Sequence, residues 1–240
     1  MQHYLGRIEG NEAFLSEEET HHLLHVRRGE LHEEVEVGDG ETVYLCEIVS
    51  LNPLKLAVKS EVEFNRELDR DVTLGFALLK GDHNDLVVLK GTELGAKAFV
   101  PFLSERTVVK PKNPHDAKIE RWTRIATEGA KQCRRNSVPS VSDYIAYKNL
   151  LDYSADIKLL AYEGEAGKGT GLLERLSRAN ARESVLIVIG PEGGFTAKEV
   201  GMALAHGFEL VSLGNRILRA ETAALYSLSI ISALSEKENK

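Results

Sequence analysis

The 240-residue sequence predicts an α/β protein with a mainly parallel sheet, preceded by a small β-rich domain. From residue 71 onward, five short apolar runs alternate with helical patterns, as expected for strands that helices cover on both faces. Before that point, short segments alternate apolar and polar residues around turn signals, which indicates a compact barrel. The predicted domains are therefore 1–68 and 69–240, with a three-layer arrangement in the second.

The first domain is expected to contain one early helix and several strands. Ser16 and Glu19 form a capping-box pattern, and Gly29 ends the apolar stretch that follows. A Gly-Asp-Gly turn at 38–40 separates two strand-like segments. The strands that can be placed lie at 35–37, 42–49 and 54–62.

In the second domain, the run 185–189 is the most hydrophobic and should lie at the centre of the sheet. Thr196 and Glu199 form a second capping box, for a helix that Gly207 ends. The five expected strands are 72–79, 99–102, 157–161, 185–189 and 208–213. The other helices are expected from 80–82 to about 95, over 116–135 and over 223–234.

The overall composition excludes several classes of protein. Apolar residues make up 42% and charged residues 28%, as in ordinary globular proteins. No run approaches the roughly 20 apolar residues of a membrane span, and the N-terminus lacks an export signal. Cys46 and Cys133 are far apart and lack metal-ligand spacing, so we expect a cytoplasmic protein without a metal.

The net charge of −7 is unusual for a nucleic-acid-binding protein, but it is unevenly distributed. Residues 1–68 contain six Lys/Arg and fifteen Asp/Glu, whereas residues 80–135 contain twelve Lys/Arg and seven Asp/Glu. A basic region of this kind suits phosphate binding. Charge alone favours the alternative that these helices carry Lys and Arg for solubility.

Three predicted strands are followed directly by glycine-containing turns. These turns are Tyr162-Glu163-Gly164, Gly190-Pro191-Glu192-Gly193-Gly194 and Leu213-Gly214. Ligands of open α/β sheets bind outside the carboxyl ends of the strands. We therefore expect the three turns to converge on one pocket.

The stretch 213–223 begins with the third turn and leads into the last predicted helix. It contains Arg216, Arg219 and Glu221 beside two aliphatic residues, which is unusual for a plain surface turn. A helix that starts here would present free backbone N–H groups. The stretch is either a ligand-holding loop or a charged crossing point of the chain, and the neighbouring turns favour the first.

Two basic clusters could contact phosphate or bases. Gln132, Arg134 and Arg135 end the helix predicted at 116–135, and Arg27 and Arg28 end the first helix. Arginine is suited to bidentate contacts with phosphates and bases. The alternative is that these arginines complement helix dipoles, which explains one residue more readily than a cluster.

These motifs resemble the ribosomal RNA small subunit methyltransferase E family, a group of SPOUT (trefoil-knot) methyltransferases. The segments that carry the resemblance are 80–82, 90–95, Arg121-Trp122, 132–135, 189–195 and 213–223. Residues 21–23 and 26–28 resemble the PUA-like RNA-binding domain of the family. Lys131 and Cys133 depart from the family, which usually has an acidic residue and Ser there.

The resemblance implies a C-terminal knot that binds S-adenosylmethionine, and a homodimer whose site uses basic residues of both subunits. It implies methyl transfer to N3 of a uridine in 16S ribosomal RNA. The implied cofactor-binding residues are Leu160, Tyr162, Glu163, Gly190, Pro191, Glu192, Gly193, Gly194, Leu213, Gly214, Ile217, Leu218, Ala220, Thr222 and Ala223. The residues expected to contact RNA are Arg27, Arg28, Lys80, Arg106, Gln132, Arg134 and Arg135.

For catalysis, Arg219 or Arg135 could stabilise the charge that develops on the base. Glu221 could orient an arginine or accept the proton. The alternative is that Arg219 and Glu221 form an ion pair that stabilises the knot. Two other functions stay open at this point: an oxidoreductase, although the first strand lacks a Gly-x-Gly-x-x-Gly motif, and a non-catalytic RNA-binding or ribosome-assembly protein.

Overall fold

The computed structural model describes residues 1–63, 65–109, 111, 117–165 and 169–236. The chain forms two units. The first consists of Met1–Glu67 and Ala130–Val138, and the second of Leu68–Gly129 and Pro139–Lys240. No helix in the described ranges is long and apolar enough to cross a membrane.

The first unit is a closed five-stranded barrel with the strand order β1-β2-β5-β4-β3. Its strands are β1 (His3–Glu9), β2 (Glu12–Leu15), β3 (Glu34–Gly38), β4 (Val43–Leu51) and β5 (Leu54–Glu61). Helix α1 (Glu17–His21) continues into a π-helical turn at His22–Val26. The three predicted strands and the early helix are confirmed, whereas the hairpin of β1 and β2 was not predicted.

Alternating side chains of the barrel strands point inward and form its core. Val35 and Val37 of β3 pack with Cys46 and Ile48 of β4, and Leu23 of the π-helical turn covers them. The Ser16 side chain accepts the backbone N–H of Glu19 at 3.2 Å, so the predicted N-cap is present. Because a shift of one residue would turn these apolar side chains outward, the buried face fixes the register of the strands.

Residues 130–138 join the first unit through polar contacts with the barrel part of the chain. Lys131 forms an ion pair with Glu19. Asn136 donates its side-chain N–H to the carbonyl of Glu41 at 3.1 Å. The ion pair with Glu19 gives Lys131 a contact within the first unit.

The second unit is built on a seven-stranded sheet in which all pairings are parallel. Its main order is β12-β10-β11-β6-β7-β8, and β9 also pairs with β7. The strands are β6 (Val72–Ala77), β7 (Ala98–Leu103), β8 (Ser140–Val141), β9 (Ile145–Ala146), β10 (Ile157–Ala161), β11 (Val185–Ile189) and β12 (Glu209–Val211). Every residue of β11 is buried, which confirms its predicted central position.

The helices of the second unit follow its strands. They are α2 (His83–Glu93), α3 (Ala117–Cys133, whose last turn lies in the first unit), α4 (Tyr147–Leu150), α5 (Leu172–Ser177), α6 (Ala197–Ala205) and α7 (Ala220–Ser235). The capping box of Thr196 and Glu199 is present at the start of α6. The five predicted strands are confirmed, although the last is shorter than expected, and the short strands β8 and β9 were not predicted.

Candidate functional site: a cavity at the ends of three parallel strands

A cavity of about 560 Å³ lies in the second unit, where β10, β11 and β12 end and α7 begins. Strand β10 pairs in parallel with both β11 and β12, so the carboxyl ends of all three meet at one edge of the sheet. The cavity is lined by His83, Ala161, Tyr162, Glu163, Ile189, Gly190, Pro191, Glu192, Gly193, Gly194, Leu213, Gly214, Arg216, Ile217, Leu218, Arg219, Ala220, Glu221 and Ala223. The three turns that the sequence places after these strands therefore come together.

The turn after β11 brings its backbone close to the cavity. The N–H of Gly194 donates to the carbonyl of Pro191 at 2.9 Å, and Gly194 has a φ of +65°, which favours glycine. A Cβ atom at this position would lie 2.1 Å from Glu163 Oε1. The turn therefore favours glycine at 194, and a larger residue there would displace the carboxylate of Glu163.

Side chains from the segment after β7 fix the same turn from outside. Arg106 donates from Nη1 to the carbonyl of Gly193 at 2.9 Å. The backbone N–H of Glu105 donates to Oε1 of the buried Glu199 at 2.9 Å. Glu199 also caps α6. The segment after β7 is therefore bonded both to the turn itself, at Gly193, and to the start of the helix that follows the turn.

The turn after β12 places aliphatic and charged side chains at the cavity. Gly214 has a φ of +105°, and its N–H donates to the Ser212 hydroxyl at 3.2 Å. Ile217 is 82% exposed although it is aliphatic, and it lines the cavity together with Leu218. An exposed aliphatic residue at a cavity rim is suited to contact with a flat apolar ligand surface.

Helix α7 begins at this turn with Arg219 in the N-cap position, where no side chain caps the helix. The first backbone N–H groups of a helix have no partner within the helix. Ala220, Glu221 and Ala223 of this first turn all line the cavity. The helix start therefore offers hydrogen-bond donors to a bound group.

The charged side chains of the cavity are of both signs. Glu163, Glu192 and Glu221 supply carboxylates, and Arg216 and Arg219 supply guanidinium groups. The basic side chain that the described part of the chain places beside Glu221 is His83, whose Nδ1 lies 3.4 Å from Glu221 Oε1. Arg219 is exposed and forms no ion pair with Glu221 in that part of the chain, which removes support from the structural alternative for this pair.

Most of the predicted cofactor-binding residues line the cavity, but Leu160 and Thr222 do not. Leu160 is fully buried in the core of the sheet, and Thr222 is exposed on α7. Four lining residues were missed, namely His83, Ala161, Ile189 and Arg216. Ala161 and Ile189 are the last residues of their strands and Arg216 lies within the quoted loop, so the sequence carried a signal for these three. His83 had none.

Arg135 does not line the cavity. It lies in the first unit, is only 3% exposed, and pairs through Nη2 with Glu67 Oε2 at 2.5 Å. Its Nε also donates to the same carboxylate, at 3.1 Å to Oε2. A buried, doubly bonded guanidinium of this kind holds the first unit together, so we leave Arg135 out of the proposed catalytic and RNA-contacting sets.

The other predicted RNA-contacting residues are exposed in both units. In the first unit, Arg27 pairs with Glu33 at 2.8 Å, and Arg134 donates to the carbonyl of Met1 at 2.8 Å. Arg28 has a φ of +58° at the end of the π-helical turn, and Gln132 lies near the end of α3. In the second unit, Lys80 precedes α2, and Arg106 is bonded to Gly193.

Comparisons with known proteins place the fold and the cavity in a class of RNA methyltransferases. Residues 66–232 match a family described as an RNA methyltransferase domain, and residues 15–59 match an RNA methyltransferase PUA domain. The chain is 37% identical to the ribosomal RNA small subunit methyltransferase E of Bacillus subtilis, over 91% of this chain and 89% of that protein. The chain therefore belongs to the ribosomal RNA small subunit methyltransferase E family.

Two solved structures bound to S-adenosylmethionine are similar over nearly the whole chain. The enzyme of this family from Neisseria gonorrhoeae is 27% identical, with a TM-score of 0.84 over 98% of both chains. A methyltransferase from Legionella pneumophila is 28% identical, with a TM-score of 0.80 over 97% of this chain and 96% of that one. Both structures were determined in complex with S-adenosylmethionine.

Proposed function

We propose that this protein transfers the methyl group of S-adenosylmethionine to N3 of a uridine in 16S ribosomal RNA of the small subunit. The observation that carries the proposal is the cavity at the ends of β10, β11 and β12, in a chain of this family. The two similar structures with bound S-adenosylmethionine support the choice of methyl donor. The comparisons give no support to the oxidoreductase or to the non-catalytic alternative.

The residues of the cavity fit S-adenosylmethionine. A volume of about 560 Å³ is within the usual range for a small-molecule site. Carboxylates at Glu163 and Glu192 complement the positive charge of a sulfonium and an ammonium group. The aliphatic side chains of Ile217 and Leu218, with the backbone of Leu213, are suited to the adenine ring.

When bound, S-adenosylmethionine would supply an activated methyl group, so the protein mainly has to align donor and acceptor. The free N–H groups at the start of α7 and the glycine turn at 190–194 would hold the donor in one pose. Arg219 would lie beside the uracil ring and stabilise the negative charge on its oxygens after N3 loses its proton. Glu221 would act on the neighbouring His83 rather than on an arginine.

We assign methyl transfer to residues 69–240, and RNA binding to residues 1–68 together with exposed cations of the second domain. The exposed cations Arg27, Arg28 and Arg134, with Lys80 and Arg106, would contact the phosphates, where each contact releases counterions. A homodimer would complete the site with basic residues from 80–135 of a second subunit. Because its substrate is ribosomal RNA, the protein would act in the cytoplasm.

The test is methyl transfer to small ribosomal subunits from a strain that lacks this protein. With labelled S-adenosylmethionine, we expect about one methyl group per 16S ribosomal RNA, and mass mapping should place it on N3 of one uridine. Naked 16S ribosomal RNA is tested beside the assembled subunit. The absence of incorporation into both, while calorimetry shows S-adenosylmethionine binding, would favour the non-catalytic alternative. Binding of NAD in its place would favour the oxidoreductase.

A further inference from the structure

His83 lies at the start of α2 and its side chain faces the cavity. The turn before it is tightly held. The buried amide of Asn84 accepts the N–H of Leu79 at 3.2 Å and donates to its carbonyl at 3.3 Å. The N–H of Lys80 donates to Glu192 Oε1 at 3.1 Å. The glycine turn of the cavity and the start of α2 are thus joined, and His83 is placed by rigid backbone.

The second observation is the contact between His83 and Glu221. Nδ1 of the imidazole lies 3.4 Å from Oε1 of the carboxylate, which is 13% exposed, whereas the imidazole is 45% exposed. A carboxylate beside Nδ1 favours the tautomer that carries the proton there. The other nitrogen, Nε2, is then left with a free lone pair that can accept a proton.

Methylation at uridine N3 requires such an acceptor because N3 carries a proton that must leave before its lone pair can attack. We infer that His83 is the general base of the reaction, oriented by Glu221 as a positioning residue. This inference rests on the proposed function. It assigns to His83 the proton transfer that the family motifs leave without a residue.

The proton transfer and the methyl transfer balance. Nε2 of neutral His83 takes the N3 proton, and the electron pair left on N3 forms the new bond to the methyl carbon. The electron pair of the breaking carbon–sulfur bond stays on sulfur, which becomes a neutral thioether. The imidazolium is stabilised by the Glu221 carboxylate and, being half-exposed, releases its proton to water.

Imidazole is the best base among the side chains at the cavity. A neutral imidazole is a stronger base than a carboxylate, and arginine keeps its proton. The charged groups that share the cavity with His83 are Glu163, Glu192, Arg216, Arg219 and Glu221, and its chain neighbours are Lys80 and Asp82. Of these groups, Glu221 is the one whose carboxylate the described structure places beside the His83 ring, 3.4 Å from Nδ1.

The first test compares His83→Ala with His206→Ala, an exposed histidine at the end of α6 whose ring contacts the carbonyl of Met202. At pH 7 the methylation rate of His83→Ala should fall about 100-fold, the lower end of the usual contribution of a general base. Its affinity for S-adenosylmethionine in calorimetry should stay within threefold. His206→Ala should retain the full rate. A His83→Ala rate within threefold of the original protein at pH 7 overturns the inference.

The pH profile separates a base from a residue that only shapes the cavity. Without the imidazole, hydroxide or water must remove the N3 proton, so the rate of His83→Ala should rise about tenfold per pH unit between pH 7 and 9. The original protein should vary little over this range. Parallel profiles for the two proteins would contradict the assignment. No methyl transfer by the original protein at any pH would instead mean that the proposed function is wrong.

The third readout does not depend on activity. Nitrogen-15 NMR of the histidine rings reports which nitrogen carries the proton. In the original protein at pH 8 we expect His83 with its proton on Nδ1, and in Glu221→Ala we expect a shift towards the Nε2–H form that free imidazole prefers. An unchanged tautomer in Glu221→Ala would remove the positioning role of Glu221. This measurement remains informative if His83→Ala fails to fold.

Discussion

The buried carboxylate of Glu199 accepts the backbone N–H of Glu105 at 2.9 Å. Its second oxygen accepts the N–H of Thr196 at 2.9 Å, and the Thr196 hydroxyl accepts the N–H of Glu199 in return. One side chain thus closes the start of α6 and ties it to the segment that carries Arg106. Since Arg106 bonds to Gly193, the rigidity of the glycine turn depends on Glu199.

Glu199→Ala should lower the free energy of unfolding by about 2–4 kcal/mol. The cap contributes about 1 kcal/mol, and the N–H of Glu105, left without its acceptor, costs about 1–3 kcal/mol. Urea denaturation measures the change. Glu174→Ala is the matched control, because Glu174 is exposed and, among the described residues, its side chain pairs only with Arg178, so its loss should cost less than about 0.5 kcal/mol. Equal midpoints for the two variants would show that Glu199 does not hold the turn.

Gly194→Ala should weaken S-adenosylmethionine binding at least about tenfold, or about 1.4 kcal/mol. The new Cβ would lie 2.1 Å from Glu163 Oε1, so the carboxylate has to move away from its place in the cavity. Gly207→Ala is the control, because Gly207 also has a positive φ but open space around its Cβ position. Both variants carry a similar backbone strain of about 1–2 kcal/mol. Calorimetry that shows the same affinity for both would disprove a role for the Glu163 contact.

The sequence was sufficient for the parts of the site that follow directly from strand ends. A parallel sheet brings its carboxyl ends to one edge, so the turns after β10, β11 and β12 could be placed together from the chain order alone. The family resemblance added Leu160, which does not line the cavity. Leu160 lies before the last residue of β10 and its side chain packs in the core, whereas Ala161 at the end of the strand lines the cavity.

The parts that were missed depend on contacts distant in the chain. His83 reaches the cavity because α2 lies against α7, 138 positions further on at Glu221, and no local pattern reports such a contact. Residues 130–138 contact Glu19, Glu41 and Glu67 and so belong to the first unit. The earlier part of α3, up to Gly129, belongs to the second unit. The predicted boundary at 68 and the knot that the resemblance implies stay predictions.

Arg219→Ala should lower the methylation rate about 100- to 1,000-fold, the usual cost of removing a group that stabilises a developing oxyanion. Its affinity for S-adenosylmethionine should change only a few-fold, since the guanidinium would act on the uracil ring. Arg178→Ala, which removes an exposed arginine of the same unit, is the control. The rate is measured with labelled donor and small subunits. An unchanged turnover for Arg219→Ala would remove this residue from the mechanism.

His3 should make the stability of the protein depend on pH. Burial lowers the pKa of His3 below its usual value of 6.5, and this outweighs the opposite effect of the Glu36 carboxylate at 3.3 Å. The unfolded chain takes up a proton at this histidine near pH 6.5, whereas the folded chain resists it. The stability that neutral His3 contributes is therefore fully present above about pH 6.5 and is lost as the pH falls below it.

The loss due to His3 is at most about 1.4 kcal/mol for each pH unit below 6.5, until the lowered pKa of the folded state is reached. His3→Gln cannot take up the proton, so its urea midpoint should fall less than that of the original protein between pH 7.5 and 5.5. His206→Gln, at an exposed position, should keep the original pH dependence. If His3→Gln loses as much stability as the original protein over this range, a group other than His3 causes the effect.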